Sequence, residues 1–138
     1  MRRIWSVLLP LALAACSENP VGRQADVVLE VQASAIDMED AVVEAVQGGV
    51  AVRGVYVAPT SGYTLRAFVR ESAGGDVVVT VGGYPPDAAF HVVSGLEYRA
   101  TIPLAPGTRT VSVRHFGGGD PPGSPRDVTR QQVTVSRR

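Results

Sequence analysis

Lysine is absent from the chain, cysteine occurs once, histidine twice, and long helix-forming runs are scarce. All 13 cationic residues are therefore Arg, a bias we assign to genome composition and give no functional weight. They are matched by 13 acidic residues for a formal net charge of +0. That balance excludes the basic footprint of a nucleic-acid binder. With His91 and His115 isolated from each other and from Cys, no pair sits at metal-ligand spacing. No apolar run is long enough to span a bilayer as a mature helix. What the chain has instead is abundant Val with frequent Gly and Pro, a balance that favours an all-β fold.

The first sixteen residues are organised differently from the rest. Met1-Arg2-Arg3 is a short positive start, Ile4 to Leu13 is apolar, and Leu13-Ala14-Ala15-Cys16 closes the stretch with small residues before a cysteine. This is the layout of a secretory signal. Its end resembles the bacterial lipoprotein signal, the lipobox, and Leu13, Ala14, Ala15 and Cys16 match it at every position. The resemblance implies cleavage before Cys16, acylation of that cysteine with palmitate-type chains, and a membrane anchor. Two or three acyl chains hold durably, because each buried methylene contributes about 0.8 kcal/mol. Ser17, where aspartate commonly signals inner-membrane retention, implies the outer membrane. Ordinary secretion with a leftover thiol is the competing reading. It leaves unexplained why the lone cysteine stands at the lipobox position. Once Cys16 is acylated, no thiol remains for a disulfide, for zinc or for nucleophilic attack.

Removal of residues 1–15 leaves 123 residues, a usual size for one autonomous domain. Residues 16–25 are polar with Gly and Pro and read as a tether; 26–138 form the domain. Asp26 to Ala33 alternates and predicts a first strand with Val27, Leu29 and Val31 on one face. Ala41 to Gln47 predicts a second strand, with a helix capped by Asp37-Met38-Glu39-Asp40 as the alternative. A two-residue turn at Gly48-Gly49 leads to Val50–Val57. Tyr63–Arg70 and Asp76–Val81 follow, with Gly82-Gly83-Tyr84-Pro85-Pro86 breaking the chain and a brief strand at Ala89–Val93. Leu96–Leu104, Thr108–Phe116 and Val128–Val135 complete the pattern. Gly117 to Pro125 is too rich in Gly and Pro to be ordered on its own. Short strands at this spacing predict a β-sandwich.

The stretch from Leu104 to Val113 resembles the fibronectin type III and Ig-like signature L-x-P-G-T-x-Y-x-V-x-V. The resemblance implies an Ig-like antiparallel β-sandwich of about seven to nine strands, with Leu104 in the core and Pro106-Gly107 turning the chain. Thr110 stands where the signature has tyrosine, so the usual corner hydrogen bond is absent or made differently. More loosely, Gly62-Tyr63, Leu65, Ala67, Tyr98, Ala100, Ile102 and Leu104 look like uncharacterised small exported proteins. These motifs are structural and carry no activity.

Chemistry-bearing residues are sparse. A Ser-His-Asp triad lacks context, since no G-x-S-x-G occurs. His115, beside Gly117, reads as a solvent-facing strand end. Asp37, Glu39 and Asp40 lack the spacing of a calcium loop and read as solvated turn residues. No cofactor is expected. The acidic stretch of Asp26, Glu30, Asp37, Glu39, Asp40 and Glu44 contrasts with the Arg-rich end of the chain. We expect the first and last strands to approach each other and offset these charges. Tyr84, Phe116 and Asp120 are the candidate binding surface, although the preferred reading of Tyr84 is a turn aromatic capping the core. The expected role is a non-catalytic binding or envelope-assembly module, with the membrane and an envelope protein as partners. A structural envelope component without a specific ligand and, third, an unrecognised hydrolase are the alternatives.

Overall fold

Alternation of Val with polar residues gives each strand one apolar face, and two sheets meet on those faces. The computed structural model describes residues 24–88, 92–118 and 122–137. Among them are nine strands and no helix. They are β1 (Gln24–Val27), β2 (Glu30–Ser34), β3 (Asp40–Val46), β4 (Gly49–Ala58), β5 (Thr64–Glu71), β6 (Val77–Tyr84), β7 (Ser94–Pro103), β8 (Gly107–Gly117) and β9 (Arg126–Val135). One sheet has the order β1-β5-β6-β8-β9, the other β2-β7-β4-β3. This is the two-sheet β-sandwich that the pattern predicts. Every pairing is antiparallel except β6 with β8, which run parallel.

The core lies between the sheets. Val77, Val79, Val81, Val111 and Val113 of the larger sheet are at most 1% exposed, and they meet Val43, Val50, Val52, Tyr98 and Ile102 of the smaller one. Each fully buried valine contributes about 1.5–3 kcal/mol relative to exposure. A chain without disulfides depends on that packing. Leu104 is buried as expected, and its N–H donates to the Gly48 carbonyl (3.1 Å). The corner that Thr110 does not lock is held by Arg109, whose Nε donates to the Ala105 carbonyl (3.2 Å). Its Nη1 reaches Glu71 (2.8 Å) and the Gly75 carbonyl.

Several expectations are corrected. The single strand at 26–33 is two: β1 pairs with β5 and β2 with β7, so the chain changes sheets at Val28-Leu29. Val31 is consequently exposed, while Val27 and Leu29 pack against the core. Gly82 and Gly83 do not break β6, because both stay paired with β5 and β8. The first hairpin turns at Gln47-Gly48, with Gly49 already paired to Val46 and Gly48 at φ 77°. Such a positive φ suits glycine. Residues 40–46 are strand, not helix. Val92 and Val93 are exposed and outside any strand; Ala89, Phe90 and His91 lie outside the described residues. In the Gly117–Pro125 segment, Gly118 N–H donates to the Gly83 carbonyl (2.7 Å) and Gly123 N–H to the Gly117 carbonyl (2.8 Å). Backbone bonds therefore tie the described parts of this loop.

Candidate functional site

Two groups of side chains stand out from the valine background. One is enclosed between the sheets, and the other lies on the outer face of the five-stranded sheet.

The enclosed group begins with His115. β8 alternates Val111, Val113 and His115 inward, and the strand continues past His115 because Phe116 and Gly117 pair with Gly82 and Gly83. His115 is therefore 0% exposed, not a solvent-facing strand end. Its Nε2 lies 2.8 Å from the Tyr98 hydroxyl on the opposite sheet. The Glu39 carboxylate sits 3.5 Å from Nδ1, too far and too poorly aimed for a good hydrogen bond, which leaves Nδ1 without one. Arg126 grips Glu39 through two nitrogens; Nε to Oε2 is 2.6 Å. The Arg126 guanidinium also lies 5.7 Å above the Tyr56 ring, whose hydroxyl donates to the Phe116 carbonyl (3.0 Å).

Local geometry makes room for this group. β9 carries an irregularity opposite Val113/Arg114: Val113 pairs with Thr129 and Arg114 with Asp127, skipping Val128. That bulge brings Arg126, not Asp127, opposite His115. Gly54 lies across from Tyr98 in the register, and a Cβ there would fall on the tyrosine hydroxyl. A Cβ on Gly83 would run into the Tyr56 ring.

Electrostatics follow from the enclosure. Burial pushes the His115 pKa below its ordinary value; Glu39 opposes that shift and Arg126 adds to it. Burial alone would raise the Glu39 carboxyl, but hydrogen bonds from Arg126 and the charges of His115 and Arg126 outweigh it and hold the pKa low. Burial drives the Tyr98 hydroxyl well above the usual tyrosine range. Arg126 is raised above its usual value, first by its hydrogen bonds to Glu39. A general base has to reach the proton it abstracts within about 2.6–3.2 Å. His115, fully enclosed, presents neither nitrogen to solvent. What the arrangement does is join the segment before β3 to β7, β8 and β9 across the sandwich.

This cluster also settles part of the charge asymmetry. β1 and β9 occupy opposite edges of one sheet, so the first and last strands do not approach each other. Glu39 and Arg126 nevertheless pair across the sandwich, whereas Glu44 is matched by Arg53 on the neighbouring strand. Asp37 is exposed, and Asp40 accepts from the Ala41 N–H (2.8 Å). Among the described residues, no group of three or more His, Cys, Asp or Glu side chains gathers to hold a metal ion.

On the outer face, the structure brings Tyr84 and Phe116 together edge to face, with centroids 6.0 Å apart. Both are half-buried. Gly82 gives them room, since a Cβ there would strike the Phe116 ring. The reading of Tyr84 as a cap on the core is not met: it ends β6 on the outer face. Arg66 lies over both Tyr84 (5.8 Å) and Phe68 (5.6 Å). Sequence reasoning missed Phe68 and Arg66, although their outward alternation on β5 was the available signal. Asp120, the third surface residue, and Leu13, Ala14, Ala15 and Cys16 lie outside the described residues.

Fold and side chains together define an all-β sandwich with a closed polar cluster inside and an aromatic–arginine face outside. No protein-family model, curated protein or solved structure matches the chain.

Proposed function

We propose that this chain is an exported lipoprotein, acylated at Cys16 and held at the outer membrane, whose sandwich is a non-catalytic module for binding or envelope assembly. The supporting observation is the direction of the strands. Gln24 pairs with Arg70, so the chain enters beside the 72–76 turn, at the end that also holds Gly48, Pro106 and Ser136. An anchor on Cys16 thus leaves the opposite end directed away from the membrane. Among the described residues, that far end carries four of the six exposed large apolar side chains, Ile36, Met38, Val92 and Val93, 52–72% accessible. β6 and β8 also finish there, at Tyr84 and just past Phe116. Apolar groups clustered outside a core mark interaction surfaces. The enclosed state of His115 favours this reading over a hydrolase, and the structural envelope role without a ligand is the alternative.

The test is cross-linking in intact cells, with a photoreactive residue at Met38 or Val92 and a control at Pro106. We expect one dominant envelope neighbour from the far end, absent from the control and from a Cys16→Ala chain. A diffuse set of abundant proteins from both ends would leave the structural role. Failure of Cys16→Ala to abolish labelling by palmitate would refute the anchor.

A further inference from the structure

A sheet edge presents unpaired backbone N–H and C=O groups, and native folds guard it with charge, bulges or brevity. Among the described residues the edge strands are β1 and β9 of one sheet and β2 and β3 of the other. β1 has four residues, β9 carries the bulge together with Arg126, Asp127 and Arg130, and β3 sets Asp40 and Glu44 along its length. β2 has an unbroken register with β7, and Glu30, at its start, is its one charge. Val31, on the inner face opposite Tyr98, is nevertheless 44% exposed. Val28 and Ile36, just beyond the two ends of β2, are 88% and 52% exposed. Apolar surface and free backbone groups therefore coincide on this edge.

The order of the residues says what covers it. Positions 28–36 read Val-Leu-Glu-Val-Gln-Ala-Ser-Ala-Ile, a pattern that is palindromic in polarity about Gln32. An antiparallel second copy centred on Gln32 sets Val31 against Ala33 and Glu30 against Ser34, and brings Val28 toward Ile36. Apolar meets apolar, polar meets polar, and no like charges oppose one another. A shift of one residue puts Glu30 against Ala33 and Val31 against Gln32, which breaks the match. Self-complementarity of this kind is what a two-fold contact requires, since residue i meets j and j meets i.

We propose that β2 pairs antiparallel with β2 of a second copy of this chain about a two-fold axis at Gln32, joining two four-stranded sheets into one. The proposal rests on the binding-module reading and names its partner. β2 lies toward the far end, where Ser34 pairs with Gly95 and Gly95 with Val57. The two-fold axis reverses strand direction, so the copies overlap by their far halves and their near ends point opposite ways. Copies anchored on facing membranes meet in this manner.

A ladder of five residues is short against the roughly 20–30 residues a side of a standard interface, so a covalent trap reads the pairing best. Directly opposed residues of an antiparallel pair have Cα atoms roughly 4.5–5.5 Å apart, within disulfide reach. The test is mild oxidation of the purified, detergent-solubilised full-length protein, with linked peptides mapped by mass spectrometry to separate any linkage through Cys16. Gln32→Cys should give a disulfide dimer. Glu30→Cys alone should not, because its two copies stand roughly 13–14 Å apart along the strands, nor should Ser34→Cys alone. Mixing Glu30→Cys with Ser34→Cys chains should give the mixed dimer. Val31→Lys, placing a charge on the edge, should cut trapping by Gln32→Cys about tenfold with little change in melting midpoint. The proposal is overturned if Gln32→Cys links no more than Glu30→Cys, if the mixture gives no mixed dimer, or if Val31→Lys leaves trapping unchanged. Failure of the trap alongside a single cross-linked envelope neighbour of another sequence would discard the self-pairing and keep the module.

Discussion

Aromatic residues on the two sides of the larger sheet are used in opposite ways, those inside coming from the smaller sheet and those outside from the larger. Inside, Tyr98 and Tyr56 are buried and both hydroxyls are partnered, by His115 and by the Phe116 carbonyl. Outside, Tyr84, Phe116 and Phe68 are half-buried: Tyr84 and Phe116 meet edge to face, and Arg66 lies over Tyr84 and Phe68. An enclosed polar atom must find its partner within the fold, whereas an exposed one has water. The inner cluster therefore serves stability, and the outer face is free to serve recognition. Changes inside should alter melting with little effect on binding, and changes outside should do the reverse.

The largest effect should come from Tyr98. Tyr98→Ala empties a site between the sheets and should cost about 3–5 kcal/mol, measured by urea unfolding. Tyr98→Phe keeps the ring but leaves His115 Nε2 unpartnered, and should cost roughly 1–3 kcal/mol. If Tyr98→Phe proved neutral, the hydrogen bond to His115 would not support the fold.

Acid should weaken the inner cluster in two stages. His115 has a folded-state pKa below its ordinary value of 6.5, because burial disfavours the charged ring. Its contribution is complete above that value and is lost as pH falls from there toward the lowered pKa. Glu39, held below its ordinary 4.5, contributes above 4.5 and loses that contribution as pH falls below it. Melting temperature should therefore decline first below about pH 6.5 and again below about pH 4.5. His115→Gln should remove the upper step and leave the lower one. A melting curve unchanged across the upper window would show that His115 does not titrate differently on folding.

The smallest stability effect belongs to the outer pair. Tyr84→Ala or Phe116→Ala should cost roughly 0.5–1.5 kcal/mol, the range of an edge-to-face contact, while reducing cross-linking at the far end. A loss as large as that of Tyr98→Ala would make the outer aromatics structural and erase the contrast between the faces.

Much of the architecture is legible in the order of the residues. Alternation located β3, β4, β5, β7, β8 and β9 to within a few residues, because one buried face imposes a period of two. The same rule, applied one residue further, would have turned His115 inward with Val111 and Val113. Gly117 and Gly82-Gly83 read along the chain as stops, because glycine weakens a strand interior. Gly82 and Gly83 make room for the Phe116 and Tyr56 rings, and Gly117 stays in the ladder opposite Gly83. The division of residues 24–34 between two sheets left no mark on the alternation.

The all-β class, the faces of most strands and the lipobox resemblance at Cys16 follow from residue order alone, since each depends on spacing along the chain. Which strands are neighbours was decided only by the tertiary structure. So was the meeting of Glu39 with Arg126, 87 residues apart, and the gathering of Arg66, Phe68, Tyr84 and Phe116 on one face. Alternation says which side of a sheet a residue occupies; strand order and register decide what stands beside it.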